Sequence, residues 1–115
     1  MTTLLSIVET PAYLSQATKL LSEEERAAVV DVVAAAPSLG VVIRGTGGLR
    51  KMRIPLMGRG KRGGGRVIYW FHSDAFPAVL LWVFAKNEAA DLTNEQRIRL
   101  AEVASALLTD FGGRR

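Results

Sequence analysis

Residues 44–72 read RGTGGLRKMRIPLMGRGKRGGGRVIYWFH, and this stretch decides both the fold and the chemistry of the chain. Two runs of strand-like composition, LRKMRIPLM and RVIYWFH, flank the glycine-rich segment GRGKRGGG, which predicts a β-hairpin. Eight of the 15 Lys and Arg residues lie in this stretch, and no Asp or Glu occurs between Asp31 and Asp74. The hairpin therefore carries a nearly undiluted block of positive charge, which is the kind of surface that holds a polyanion.

The composition indicates a single basic domain spanning residues 1–115. Hydrophobic residues make up 49% of the chain, which is enough for a core. Cysteine is absent and His72 is the one histidine, so neither a disulfide framework nor a usual zinc site is expected. The longest apolar runs are far shorter than the about 20 residues of a membrane span, and the N-terminus lacks signal-peptide features. We expect a cytoplasmic protein without metal, cofactor or membrane contact, and a pI of about 10.0 favours nucleic acid or an acidic protein as its partner.

Local signals predict the element order β-α-α-β-β-β-α, which corresponds to an α+β fold. Thr10 followed by Pro11 predicts the start of the first helix, and Ser22 and Thr93 each open a capping box that predicts another. The predicted strands span residues 3–9, 49–56, 66–72 and 78–85, and residues 37–48 are expected to form a loop. Because successive strands are joined by short connections, we expect an antiparallel sheet of about four strands with two N-terminal helices and one C-terminal helix.

Four basic residues are predicted to meet at one end of this sheet. Lys51 and Arg53 share a face of their strand, Arg66 opens the next strand, and Lys86 ends the last one. Cleaving RNA requires deprotonation of the ribose 2′-OH, stabilisation of charge on phosphorus, and protonation of the leaving oxygen. Arginine suits the second task because its planar fork matches phosphate oxygens, and a lysine crowded by cations suits proton transfer. These four residues are therefore candidate catalytic residues of a metal-free site, although a solvated basic face has the same spacing.

The glycine-rich segment is predicted to be a flexible loop that contacts RNA. A phosphate-binding loop would place Ser or Thr after Gly60 and Lys61, where this chain has Arg62, and would open a helix instead of a strand. Glycine nevertheless lets the backbone approach phosphates closely. We predict that Arg59, Lys61 and Arg62 bind the RNA backbone, together with Arg50 on the preceding strand.

His72 is the only imidazole, and its position beside Ser73 and Asp74 permits either proton transfer or a structural role next to a turn. The turn position is favoured, because neighbours in sequence do not define a catalytic geometry. Most aromatic side chains are expected to pack in the core: Tyr13, Trp70, Phe71, Phe76, Trp82 and Phe84.

Three segments resemble a known family. GTGGLRKMR (45–53), GRGKRGGGRVIYWF (58–71) and LLWVFAKNEAADLT (80–93) are similar to the RelE superfamily of toxins from type II toxin–antitoxin pairs, especially its HigB-like branch. The resemblance implies a small α+β toxin that cleaves mRNA in the ribosomal decoding site and is neutralised by a cognate antitoxin protein. It matches the basic pair of the second strand to Lys51 and Arg53, the arginine opening the third strand to Arg66, and the last basic position to Lys86.

The chain departs from this family at three positions. Ribosome-dependent members often have an arginine after the last of these lysines and a tyrosine at the start of the final helix, where this chain has Asn87 and Thr93. Phe84 stands where HigB-like sequences often have tyrosine. Three functions are therefore open: an mRNA-cleaving endoribonuclease, a ParE-like inhibitor of DNA gyrase without nuclease activity, and a non-catalytic nucleic-acid-binding module.

Overall fold

The structure, a computed structural model, describes residues 5–56, 64–86 and 92–112. Within these ranges three helices and five strands follow one another along the chain. Their bounds are β1 Ile7–Glu9, α1 Pro11–Leu20, α2 Glu23–Ala35, β2 Val41–Val42, β3 Leu49–Ile54, β4 Gly65–Trp70, β5 Ala78–Ala85 and α3 Asn94–Gly112.

The strands form one mixed sheet in the order β1-β5-β4-β3-β2. The predicted α+β class is confirmed, but the prediction of an antiparallel sheet of about four strands is wrong in two details. β1 pairs parallel with β5, with Ile7 opposite Ala78, and the short strand β2 adds to the far edge within the segment predicted as a loop. Neither detail has a local signal, because a two-residue strand has no periodicity and a strand's sequence does not specify its partner.

The three helices begin where side chains satisfy the free backbone amides. The Thr10 hydroxyl accepts from the Tyr13 N–H at 3.1 Å, with Pro11 at the first helical position. Ser22 opens α2 with both hydrogen bonds of a capping box, at 2.8 and 3.1 Å, and Thr93 opens α3 with the same pair at 2.9 and 3.1 Å. These local predictions are confirmed.

The sheet is the middle layer of three. On one face α1 and α2 pack against residues of β3, β4 and β5 that include Met52, Ile54, Val67, Tyr69 and Leu80. On the other face α3 packs, through residues such as Ala104, against a second set that includes Leu49, Ile68, Trp70, Leu81 and Phe84. We call these the α1/α2 face and the α3 face. Of the helices in the described ranges, none combines the length and apolar character needed to cross a membrane.

A β-bulge interrupts the pairing of β4 with β5. Ile68 lies opposite Trp82, and the next pair is Tyr69 with Leu80, so Leu81 has no partner in the ladder. As a result the adjacent side chains of Leu81 and Trp82 both pack with the core of the α3 face.

Candidate nucleic-acid interface

The alternation of β3 separates its basic side chains from its apolar ones. Met52 and Ile54 are buried in the core of the α1/α2 face. Lys51 and Arg53 therefore lie on the α3 face, where Arg53 is exposed and Lys51 is half-buried. The structure places this predicted pair on one side of the sheet.

Arg66 occupies the matching position on β4. Its cross-strand partner is Arg53, and residues paired in this way have Cβ atoms about 4.5–5.5 Å apart. Lys51 is opposite Ile68, so it is the diagonal neighbour of Arg66, at about 7–8 Å. Like charges directly opposite each other destabilise a sheet. An anion bound between Arg53 and Arg66 would relieve their repulsion.

Lys86 completes this group from the end of β5. Beyond the bulge, Trp82 and Phe84 pack on the α3 face, and the alternation continues to Lys86. The Lys86 N–H donates to the Gly64 carbonyl at 3.0 Å, which brings Lys86 beside the start of β4. Gly64 is needed at this point because its φ is 65° and a Cβ there would collide with the Ile54 carbonyl oxygen.

We call Lys51, Arg53, Arg66 and Lys86 the basic face. All four come from the same end of the three central strands, with Arg66 in the middle. Arg53 and Lys86 are exposed, and Lys51 and Arg66 are half-buried, so all four side chains are accessible to a ligand. Within the part of the chain that the structure describes, no group of three or more His, Cys, Asp or Glu could hold a metal ion. The catalytic roles of the basic face stay predictions.

Arg50, predicted to bind RNA, lies on the other side of the sheet. One terminal guanidinium nitrogen donates to the Gly40 carbonyl at 2.7 Å and to the Ser38 carbonyl at 3.2 Å. The guanidinium also lies 6.0 Å from the centre of the Phe71 ring. These contacts favour a structural role that anchors the loop of residues 37–40, and contact with RNA stays a prediction.

Tyr69, the cross-strand partner of Arg50, holds the same loop. Its hydroxyl donates to the Pro37 carbonyl at 2.8 Å and accepts from the Gly40 N–H at 2.9 Å. Burial raises the pKa of Tyr69, while the hydrogen bond from Gly40 and the charge of Arg50 act in the lowering direction. A side chain at position 40 would not fit, because its Cβ would lie 2.7 Å from the Tyr69 hydroxyl oxygen.

Arg59, Lys61, Arg62 and Asn87 lie outside the described residues, and RNA binding by the three basic residues stays a prediction.

Thr93 caps α3, and its hydroxyl accepts from the Gln96 N–H, which accounts for this hydroxyl locally. His72 is exposed at the opposite end of β4, six residues from Arg66 or about 20 Å along an extended chain. There it stacks on Trp70 at 5.9 Å and on Phe76 at 5.4 Å, as expected for a residue next to a turn.

The sequence pattern did not single out Arg97, although its spacing contains a usable signal. Arg97 lies three residues before Leu100 and seven before Ala104, both of which pack on the α3 face. It therefore continues the sheet-facing stripe of α3 toward the start of the helix. A basic residue on an apolar stripe is the observation that could have identified it.

Comparison with known proteins gives a consistent result. Residues 22–111 match the family described as the RelE toxin of the RelE / RelB toxin–antitoxin system. Among solved structures, the chain is similar to a mutant of the E. coli toxin RelE in the free state, with a TM-score of 0.56 and 14% sequence identity. That match covers 84% of this chain and 96% of the other, and at this identity it supports the fold alone.

Proposed function

Because this chain belongs to the RelE toxin family, we propose that it is the toxin of a toxin–antitoxin pair and an endoribonuclease that cleaves mRNA. The fold agrees with this membership, since three helices and a central sheet are arranged as in the E. coli relative. The reaction, the ribosome and the antitoxin are inferences from the family and from the basic face.

The observation that carries the proposal is the pairing of Arg53 with Arg66. In the proposed reaction the 2′-oxygen attacks the adjacent phosphorus, and the bond from phosphorus to the 5′-oxygen breaks. Negative charge builds on the non-bridging oxygens in the transition state. Two guanidinium groups on adjacent strands would supply hydrogen-bond donors to those oxygens, which is the usual way proteins stabilise such charge.

Lys51 and Lys86 are proposed to transfer protons on either side of Arg66. One would accept the 2′-OH proton and the other would donate a proton to the leaving 5′-oxygen, so the products are a 2′,3′-cyclic phosphate and a free 5′-OH. Both side chains belong to the basic face, and each lies diagonally from Arg66. The tyrosine common in relatives is replaced by Thr93, which is why lysines have this part in the proposal.

The proposed partners follow from charge. Eight of the 15 Lys and Arg residues lie between positions 44 and 72, a stretch free of Asp and Glu, so mRNA and ribosomal RNA are suitable ligands. A cognate antitoxin would neutralise the toxin by covering the same charges with an acidic segment. Placement nearer the HigB-like branch and activity in the cytoplasm belong to the same proposal.

Induction of the gene in cells tests this function. Growth should stop, and sequencing of RNA 5′ ends should reveal new cuts within translated mRNA. The double variant Arg53→Ala with Arg66→Ala should permit growth and leave mRNA whole. Growth arrest with an intact transcriptome would rule out the nuclease.

A ParE-like inhibitor of DNA gyrase is the second candidate. The observation in its favour is Thr93, which stands where nucleases of the family often have tyrosine. Its hydroxyl is used in capping α3. This alternative predicts DNA damage and intact mRNA after induction, so the same experiment separates the two functions. Harmless expression would instead favour a non-catalytic binding module.

A further inference from the structure

We propose that Arg97 of α3 is a fifth phosphate-binding residue of the basic face, positioned above the sheet instead of within it. The inference rests on the proposed function, because it assigns Arg97 to the RNA that the basic face would bind. The placement of Arg97 follows from the packing of α3.

The contacts of α3 define which of its sides faces the sheet. Leu100, Ala104 and Leu107 pack in the core of the α3 face, and Phe111 stacks on Trp70 at 6.0 Å. Positions 97, 100, 104, 107 and 111 form one stripe at helical spacing. Arg97 is half-buried, as expected for a residue at the sheet-facing end of this stripe.

The path of the chain places Arg97 at the same end of the sheet as the basic face. Phe111, near the end of α3, contacts Trp70 and Phe76. Trp70 is the last residue of β4, and Phe76 lies just before the start of β5. The start of α3 therefore lies toward the opposite end, where β5 ends at Ala85 and Lys86 follows. Leu92, just before the helix, is buried in the same core as Phe84, the cross-strand partner of Arg66.

One flank of the α3 stripe lies toward β5 and α1. Gln96, Arg99 and Leu100 line a groove of about 340 Å³ together with Ala12 of α1 and with Trp82. This groove fixes the orientation of the helix: the side with Gln96 and Arg99 is directed to β5 and α1. Arg97, on the other flank of the stripe, is directed toward β4 and β3, which carry Arg66 and Lys51.

The environment of Arg97 is unfavourable without a ligand. Its Nε atom is buried and has no hydrogen-bond partner among the described residues. A buried donor without a partner destabilises the free protein. A phosphate between α3 and the sheet would supply the missing acceptor and neutralise the charge.

Binding of a short single-stranded RNA with 2′-O-methyl ribose tests the proposal, because this probe cannot react and binding is measured apart from cleavage. Arg97→Met removes the charge and keeps an apolar stem, and Arg99→Met is the matched control with the same change in net charge. We expect Arg97→Met to reduce the slope of log K against log salt by about 0.7, the value of one lost contact on single strands. Arg99→Met should leave the slope unchanged.

Each outcome has a defined meaning. If Arg97→Met binds with the wild-type slope while Arg66→Met lowers it, the role of Arg97 is wrong and the proposed function stands. If neither variant changes the slope, the basic face is not the RNA site, and both proposals are wrong.

The melting temperature of Arg97→Met should equal or exceed that of the wild type, and a clear decrease would mean that the guanidinium stabilises the fold. If this variant does not fold, Arg97→Lys replaces it. That variant should keep the salt slope and bind several-fold more weakly because the bidentate fork is lost. Unchanged affinity of Arg97→Lys would contradict the proposal.

Discussion

Two cross-strand pairs of the same hairpin use arginine in opposite ways. Arg50 pairs with Tyr69 on the α1/α2 face, where carbonyl oxygens accept from the guanidinium and the phenol bridges two backbone groups. Arg53 pairs with Arg66 on the α3 face, where the partner is a second cation. In the first pair the arginine anchors a loop of the protein, whereas the two arginines of the second pair are proposed to bind an external anion. The contacts of an arginine thus depend on the acceptors that the fold provides. They differ between Arg50 and Arg53, which lie three residues apart on the same strand.

The largest effect expected from this contrast is on the rate of mRNA cleavage. Arg66→Ala should lower the rate of mRNA cleavage by about 10²–10³-fold, the usual loss when one donor to a developing oxyanion is removed. The rate of product formation on ribosomes programmed with a defined mRNA measures it. Arg50→Ala is the matched control, and it should lower stability while the rate per folded molecule stays near that of the wild type. An equal loss of rate in both variants would contradict the division of roles.

Tyr69→Phe should destabilise the fold by about 1–3 kcal/mol, because the Pro37 carbonyl and the Gly40 N–H would lose a buried partner. Urea unfolding followed by circular dichroism measures this change. Tyr13→Phe is the control, since the Tyr13 hydroxyl is buried and has no hydrogen-bond partner in the described ranges. Its removal should change stability by no more than about 0.5 kcal/mol, or increase it. A larger destabilisation from Tyr13→Phe would refute this reading of the two phenols.

Alkaline pH should weaken the α1/α2 face through its tyrosines. Burial, followed by the charge of Glu9, raises the pKa of Tyr13 from 10.0 to about 12, against a lowering influence of Arg26. Because the folded state holds the proton more tightly than the unfolded state, the stabilisation is complete below pH 10.0 and is lost as pH rises through about 12. Urea midpoints across this range should fall less steeply for Tyr13→Phe than for the wild type. Parallel curves would contradict the raised pKa.

The smallest predicted effect is the repulsion within the basic face. Arg53→Gln should stabilise the free protein at low salt by about 0.2–1 kcal/mol, since like charges directly opposite on a sheet destabilise it by that order. The gain should shrink when salt screens the charges. Arg44→Gln, an exposed change of the same charge in the segment before β3, is the control and should have no such effect. Unfolding midpoints at two salt concentrations decide the matter, and equal gains in both variants would contradict the pairwise repulsion.

Local rules predicted much of this fold. β5 has the predicted bounds, Ala78–Ala85, because a short apolar run between turn residues leaves few alternatives. The caps at Ser22 and Thr93 also formed as predicted, since every atom of a capping box lies within four residues. The parallel pairing of β1 and the edge strand β2 were not predicted, because they depend on segments distant in sequence.

In the candidate site, too, some features follow from local rules and others depend on segments distant in sequence. Strand periodicity placed Lys51 and Arg53 on one face, and the order of strands brought Arg66 beside them. The contacts of Arg50 could not be predicted, because its acceptors belong to a loop ten to twelve residues earlier in the chain. The helical spacing of Arg97 can be read from the sequence, but its proposed role depends on how α3 lies across the sheet.

The bulge at Leu81 has a consequence for reading related sequences. A relative with an uninterrupted β5 would be one residue shorter between Leu80 and Trp82, so its alignment with this chain needs a gap at that position. Without the gap, every residue on one side of the bulge is aligned with a residue whose side chain lies on the opposite face of the sheet. A substitution table built on such an alignment would compare Lys86 with core positions and would score a lysine of the basic face as an anomaly.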